Sequence, residues 1–250
     1  MGMTTSSFQP PCVALADAVP TLQRQGYAVL SATSVCAMAQ VPLTDLMGLV
    51  PSWSDLPADL YLKDGGRYRR RRHASYIVQA DAVQTVPHRA HWQPLEYNAL
   101  HGGMQRWFEP VLPATAAQPA WTQLLLALGR LCSQLKGVQP WFVEAHQFRI
   151  DTTDGIGRPT PEGAHRDGVD LVAVFLVERQ GIKGGETRVF EADGPNGQRF
   201  TLREPWSVLL LDDTRVIHES TPIQPEGLHG HRDTLVVTLR HGGFQDEAPK

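Results

Sequence analysis

Two imidazoles and one carboxylate stand where they could share a metal ion: His165 and Asp167 in His165-Arg166-Asp167, and His218 at the end of Asp212-Asp213-Thr214-Arg215-Val216-Ile217-His218. In a His-x-Asp element on an extended segment both side chains fall on one face, because successive strand residues alternate sides. The second histidine comes from a separate segment, far enough along for the chain to pass through several strands and return. Two neutral imidazoles and a carboxylate on one face of an ion leave the opposite face open, which is the arrangement of non-haem Fe(II) oxygen chemistry.

His-x-Asp alone is weak, since a histidine beside a carboxylate is commonly a surface hydrogen-bonded pair. The order of the surrounding elements strengthens it. A turn-rich stretch from Asp151 to Gly163 leads to the pair; the apolar run Val169 to Val177 follows, then the glycine turn Gly181 to Gly185 and the segment Glu186 to Phe190. A second apolar run, Val208 to Leu211, delivers His218, and a last one, Thr234 to Leu239, is headed by Arg232. Short apolar runs bounded by turn residues read as strands.

With these motifs the chain resembles the 2-oxoglutarate/Fe(II)-dependent dioxygenases. Gly184-Gly185-Glu186-Thr187-Arg188-Val189-Phe190 is similar to the Gly-Gly-Glu-Thr-x-x-Phe hairpin of the prolyl-hydroxylase-like branch, and Arg232-Asp233-Thr234 resembles the Arg-x-Ser pair that clamps the distal carboxylate of 2-oxoglutarate. The resemblance spans about Phe142 to Arg240. It implies a mainly β fold with flanking helices, a double-stranded β-helix (jelly roll, cupin-like). It implies Fe(II) on His165, Asp167 and His218, with 2-oxoglutarate and O2 as co-substrates and ascorbate assisting. The reaction implied is oxidative decarboxylation of 2-oxoglutarate to succinate and carbon dioxide, coupled to hydroxylation of an unactivated carbon. Asp167 argues against the halogenating variants, which replace that carboxylate. Weaker cues, the basic segment Arg67 to Tyr76, the strand Glu144 to Ile150 and Gly168-Val169-Asp170, resemble the bacterial branch that includes free L-amino-acid hydroxylases such as isoleucine dioxygenase.

Alternation places Arg232 and Thr234 on one strand face, so guanidinium and hydroxyl can converge on a single carboxylate. The competing reading is an ion pair between Arg232 and Asp233. Arg149, on the strand Glu144 to Ile150, is a second candidate for an acid group. For the substrate we expect a small amino acid or a derivative of one. Such a molecule needs a cation, an acceptor and an apolar wall beside the iron. Arg70 or Arg72, on the strand face shared with Tyr76, would supply the first, and Asp170 or Glu144 the second. Hydroxylation of a peptide or protein residue is the alternative within the enzyme class. A cupin-like protein that binds metal or a small molecule without turnover is the alternative outside it.

Composition limits the other readings. The chain has 250 residues, 42% of them hydrophobic, enough to bury a sizeable single core. We expect one domain over 1–250, with a mixed helix and strand part over 1–140 and a core carrying the motifs over 141–240. The net charge of -3 provides no overall field for nucleic acid or anionic membrane. Arg69 to Arg72, flanked by Tyr68 and Tyr76, invite a nucleic-acid reading, but a strand sends Arg70 and Arg72 one way and Arg69 and Arg71 the other. Expected partners are therefore a small-molecule substrate, with no nucleic acid, no membrane and no assigned oligomeric state. Cys12, Cys36 and Cys132 are odd in number and widely spaced, as expected of reduced thiols in a cytoplasmic protein. No stretch approaches the ~20 apolar residues that cross a bilayer. Met1 to Ser6 fits the loose myristoylation pattern, which we read as a leader ahead of a start at Met3 or a chance match.

For organisation, Leu15 to Gln25 reads as a helix stopped by Gly26, and Tyr27 to Leu30 as a strand. Trp121, Leu124, Leu125, Leu128, Leu131, Cys132 and Leu135 recur at helical spacing up to Gly137, predicting a helix that backs the barrel. Pro110 to Pro119 reads as a connector, and Gln245 to Lys250 as a frayed tail.

Overall fold

The computed structural model describes residues 8–246. The sequence expectation at Met1 to Ser6 lies outside them. The chain opens with α1 (Ala18–Gln25), preceded by a 3-10 turn over Leu15–Asp17, then β1 (Tyr27–Leu30), α2 (Ala32–Ala39) and α3 (Leu43–Met47). Gly26 ends α1 at φ 81°, a left-handed conformation that costs glycine little. A second 3-10 turn, Val50–Trp53, precedes β2 (Arg69–Gln79) and β3 (Ala82–Thr85). Segment 86–112 carries isolated bridges and no helix or strand. The connector at Pro110 to Pro119 contains one helical turn, α4 (Pro113–Ala116), and leads into α5 (Pro119–Lys136). Proline begins α5 where its missing N–H has no helical partner to lose.

From there the chain is β: β4 (Trp141–Asp151), β5 (Leu171–Gln180), β6 (Ile182–Gly184), β7 (Thr187–Glu191), β8 (Gly197–Phe200), β9 (Val208–Asp212), β10 (Val216–Ser220), β11 (Ile223–Pro225) and β12 (His231–Arg240). Seven strands form one antiparallel sheet in the order β1-β9-β5-β12-β4-β2-β3. Two smaller sheets, β10-β7-β8 and β11-β6, are also antiparallel. One apolar core joins the outer face of the large sheet to the helices, and it includes Leu128 and Leu131 of α5 together with Val143, Phe175 and Val237 of the sheet. A second core joins β5 and β9 to the three-stranded sheet through Val172, Leu176, Val189, Phe200 and Leu211. The result is the mainly β jelly-roll architecture that the family resemblance implies. Among the described residues no single helix is long and apolar enough to cross a membrane.

Strand parity decides which side chains reach the interior. In β2, Arg69, Arg71, His73 and Ser75 are buried on the inner face, while Arg70, Arg72 and Ala74 are only half-buried. β2 pairs β4 in unbroken register from Arg69↔Ile150 to Val78↔Trp141, so Glu144, His146, Phe148 and Ile150 share that inner face. Trp53 ties β4 to β12 behind the site: its buried indole N–H is 3.2 Å from both Phe148 O and Thr234 O. In the β12–β5 ladder the register shifts between Asp233 and Thr234, a bulge beside the inward residues Arg232 and Thr234.

Candidate active site

The Nε2 atoms of His165 and His218 converge on the Asp167 carboxylate. His165 Nε2 lies 3.8 Å from Asp167 Oδ1, and His218 Nε2 lies 3.9 Å from Oδ2. One ligand atom from each of the three residues falls within 4.8 Å of the others. His218 is positioned by β10. His165 and Asp167 sit on a loop rather than on a strand, and a single bridge, His165 N to His218 O at 3.0 Å and the reverse at 2.9 Å, brings the loop to β10. The His165 Nδ1–H donates to Gly163 O at 3.0 Å, which fixes the tautomer that leaves Nε2 as a donor atom for a metal. Burial, with His165 beside it, holds His218 well below the ordinary histidine range, so it is neutral and able to ligate.

Asp167 is held from two sides. Asp213 accepts the backbone N–H groups of Asp167, Gly168 and Val169 at 3.0, 2.7 and 3.1 Å, setting the loop conformation. Gln93, from segment 86–112, donates Nε2–H to Asp167 Oδ1 at 3.1 Å. Gln93 Oε1 accepts from Arg106 Nη2 at 2.8 Å and from Asn98 Nδ2 at 3.2 Å. Two donors on the oxygen settle which end of the amide faces Asp167.

Arg232 is buried and has no carboxylate within 4.0 Å among the described residues. Burial, with Arg179 nearby, pushes it down to about 10, still protonated at neutral pH. Arg232 and Thr234 face one cavity together with His165, Asp167 and His218. Asp233, between them in sequence, points the other way and takes Arg149 in a two-pronged pair, Nε–Oδ1 2.8 Å and Nη2–Oδ2 2.6 Å. Arg149 is thus committed to Asp233 on the opposite face and does not reach the cavity. The glycine hairpin packs behind Arg232. Gly185 is at φ 66°, and a Cβ there would meet Arg179 Nη1 at 2.9 Å and Ile223 Cγ2 at 3.0 Å.

The cavity sets charged and polar side chains beside the apolar Val174 and Val236, the mixed lining of a small-molecule site. Its wall differs from the sequence expectation at the substrate residues. Arg70 faces away and pairs with Asp151 at 3.5 Å. Arg72 donates to Pro110 O at 3.2 Å and Asp55 O at 3.1 Å. Tyr76 is buried under α5, its hydroxyl accepting from Trp121 Nε1 at 3.0 Å. Asp170 accepts from His241 N and Nδ1, both at 2.8 Å, outside the cavity. Alternation separates the arginines as expected, but it is Arg69 and Arg71 that point inward. Asp59 takes Arg69 Nε at 2.7 Å, and Arg71 is sandwiched between Phe108 and Phe148, 3.6 and 4.3 Å from the ring centres.

Glu144 does line the cavity, within a buried group of His73, His91 and His146. Burial raises its carboxyl, but the charges and hydrogen bonds of His91 and His73 outweigh that and hold it below the usual carboxylate range. Arg71 Nη2 donates to His146 Nδ1 at 2.6 Å, which leaves His146 protonated on Nε2 and makes this a hydrogen-bond network rather than a ready set of metal donors. Several wall residues carry no motif in the sequence: Gln93 and Arg106 from segment 86–112, Glu162 from the turn-rich stretch before His165, and Gln245 from the tail. The tail expected to fray is docked as far as it is described, with Gln245 Nε2 donating to Asp167 O at 2.9 Å and Gly168 O at 2.7 Å. Residues 247–250 lie outside the described chain.

The model of the 2OG-Fe dioxygenase family matches residues 50–238. Among solved structures, a bsmA homolog from Methylobium petroleophilum PM1 is 52% identical, with a TM-score of 0.90 over 99% of this chain and 100% of that one. IDO from Bacillus thuringiensis shares the fold at 18% identity, with a TM-score of 0.74 over 93% of this chain and 100% of that one. The Fe(II)/α-ketoglutarate-dependent dioxygenase TqaL does so at 17% identity, with a TM-score of 0.71 over 94% of this chain and 91% of that one. No curated protein matches the chain. With a family model spanning most of the sequence and a jelly roll that gathers two histidines and an aspartate in its cavity, the chain belongs to the 2OG-Fe dioxygenase family, enzymes that use Fe(II), 2-oxoglutarate and O2.

Proposed function

We propose that the enzyme hydroxylates an unactivated C–H of a small amino acid or a close derivative, with Fe(II) held by His165, Asp167 and His218 and the distal carboxylate of 2-oxoglutarate held by Arg232 and Thr234. The iron and its co-substrate supply the oxidising chemistry, and the protein supplies placement. The observation that carries the substrate reading is Glu162. Its Oε1 lies 3.6 Å from His165 Nε2, its Oε2 is buried without a hydrogen-bond partner, and the residue lines the cavity. A buried carboxylate oxygen with no donor is costly until a cation reaches it. A substrate ammonium beside the metal ligands meets that need and brings the aliphatic part of the molecule against Val174 and Val236 of the wall. IDO and TqaL lend the reading their fold and no substrate. Cys12, Cys36 and Cys132, all free thiols, support a reducing, cytoplasmic setting.

The test is a panel of free L-amino acids incubated with the purified protein, Fe(II), 2-oxoglutarate and ascorbate, read by mass spectrometry for one added oxygen and by succinate release. At least one aliphatic amino acid should gain oxygen in step with succinate, and Glu162→Gln should lose most of that coupled turnover. Succinate without any oxygenated amino acid across the panel would overturn the substrate reading.

A further inference from the structure

The two peptide units that follow Asp167 are gripped by two side chains far apart in sequence. Asp213 takes their N–H groups, with Gly168 N at 2.7 Å and Val169 N at 3.1 Å from its Oδ2. Gln245 takes the carbonyls of the same two units, its Nε2 donating to Asp167 O at 2.9 Å and Gly168 O at 2.7 Å. Each unit is thus fixed at both ends, and with it the direction in which the Asp167 side chain leaves the loop. Gly168 makes the grip possible. At φ 76° it is left-handed, which lets successive N–H groups converge on one carboxylate. A Cβ there would collide with Tyr97 and stand 2.6 Å from Gln245 Nε2.

Gln245 is delivered by a segment fastened along its length. After β12 the chain turns at Gly242 and Gly243, both at positive φ, and comes back to the cavity wall, which Gln245 helps to line. Arg240 donates to Gly243 O at 2.6 Å, and Phe244 meets Phe142 of β4 edge-on with 5.1 Å between ring centres. Arg89, from segment 86–112, closes the fastening. Its guanidinium lies 4.4 Å from the Phe244 ring centre, donates to Gln245 O at 3.3 Å, and pairs with Asp246 and, at 3.3 Å, with Glu144 of the cavity wall. Ordering a chain end costs backbone entropy, and here the contacts that offset it end on the loop of Asp167. We propose that Gln245 is a positioning residue for Asp167, and that segment 241–246 is a strap which, latched by Arg89, completes the metal site. Gln93 donates to the Asp167 carboxylate itself, whereas Gln245 holds the backbone that aims it. Docking of the strap and binding of the metal are then reciprocally linked, each favouring the other. The proposal rests on the reading of His165, Asp167 and His218 as the iron ligands.

Three measurements on the full chain test this: a competitive chelator titration with Co(II), the Co(II) absorption spectrum at saturation, and the urea midpoint of the metal-free protein. Gln245→Met keeps the side-chain length and removes both hydrogen bonds. It should weaken Co(II) by about tenfold or more, the usual effect of losing a group that orients a metal ligand. It should also shift the Co(II) bands and leave the metal-free midpoint little changed. Gln245→Glu, which sets an acceptor against two carbonyls, should weaken Co(II) at least as much. Arg89→Gln loosens the latch but leaves the Gln245 amide in place, and should weaken Co(II) less. Asp167→Ala separates the strap from the reading beneath it. If that variant binds Co(II) as tightly as the parent, the assignment of the metal ligands falls and the strap falls with it. If Asp167→Ala loses the metal while Gln245→Met stays within about twofold of the parent, the strap alone is overturned. A Gln245→Met protein with a lowered metal-free midpoint and an unshifted Co(II) spectrum would make Gln245 a merely structural contact, and would overturn the proposal as well.

Discussion

Gln93 is the sharpest place to perturb the site, because one amide carries three hydrogen bonds with different readouts. Gln93→Met keeps the side-chain length and removes every one of them. On one side the Asp167 carboxylate loses its 3.1 Å donor. A hydrogen bond to a charged group is worth about 1.5–3 kcal/mol, and loss of a partner that orients a metal ligand typically costs 10- to 100-fold in metal affinity. Converted at about 1.4 kcal/mol per factor of ten, the two ranges coincide. On the other side Arg106 and Asn98 lose the oxygen they share. A buried donor left without an acceptor costs about 1–3 kcal/mol in folding stability. We therefore expect Gln93→Met to weaken Co(II) or Fe(II) binding by about 10- to 100-fold in a competitive chelator titration, and to lower the urea midpoint of the metal-free protein. Gln93→Glu keeps an oxygen for Arg106 and Asn98 and should restore most of that midpoint. Metal affinity within twofold of the parent in Gln93→Met would refute the claim that this amide positions Asp167.

Three further outcomes follow from the geometry. Arg232→Ala should raise the 2-oxoglutarate KM by roughly 10- to 150-fold, the value of a lost charge-assisted bond, with metal binding little changed; an unaltered KM would remove Arg232 from the clamp. Arg70→Glu and Arg72→Glu should leave hydroxylation coupled to succinate release, because both side chains face away from the cavity; uncoupling in either would mean that the strand turns over during catalysis. Burial pushes His91 down to about 4, against a carboxylate, Glu144, that pulls it up. An unfolded histidine titrates near 6.5, so between about pH 6.5 and 4 the unfolded chain binds the extra proton and stability falls as pH falls. About 1 kcal/mol should be lost between pH 7.5 and 5.5 from this residue, measured as the difference in denaturant midpoint between the parent and His91→Gln; a difference that does not vary with pH would contradict it.

The elements built on continuous apolar runs or on helical spacing were legible in the sequence. β1 and β9 fall within one residue of their apolar runs, and α5 fills the span its leucine spacing implies. The three residues brought together at the proposed metal site were legible because each sits next to a strong local pattern. Parity was only half legible. Alternation shows that Arg70 and Arg72 oppose Arg69 and Arg71, but which pair points inward depends on the register with β4 and on the helices covering the outer face, neither of which is a property of β2 alone. Gln93, Arg106 and Glu162 lie on segments without periodicity. Their positions are fixed by contacts such as the His91–Arg106 bridge, and no spacing rule reports those. A polar residue this near the end reads as tail, yet two backbone carbonyls beside the metal loop give the Gln245 amide a defined seat.

The first strand has a consequence for how the chain is cut. β1 closes one side of the seven-stranded sheet by pairing β9 from Tyr27↔Leu211 to Leu30↔Val208. The family match starts at residue 50, downstream of it. Trimming the protein to that match would keep every proposed ligand and still strip the cover from Val208, Leu209, Leu210 and Leu211, four buried aliphatic residues in a row. Their free N–H and C=O groups would then form an open, hydrophobic edge, the kind of strand that recruits a second chain. A shortened protein that precipitates would be reporting an unprotected edge rather than a damaged active site.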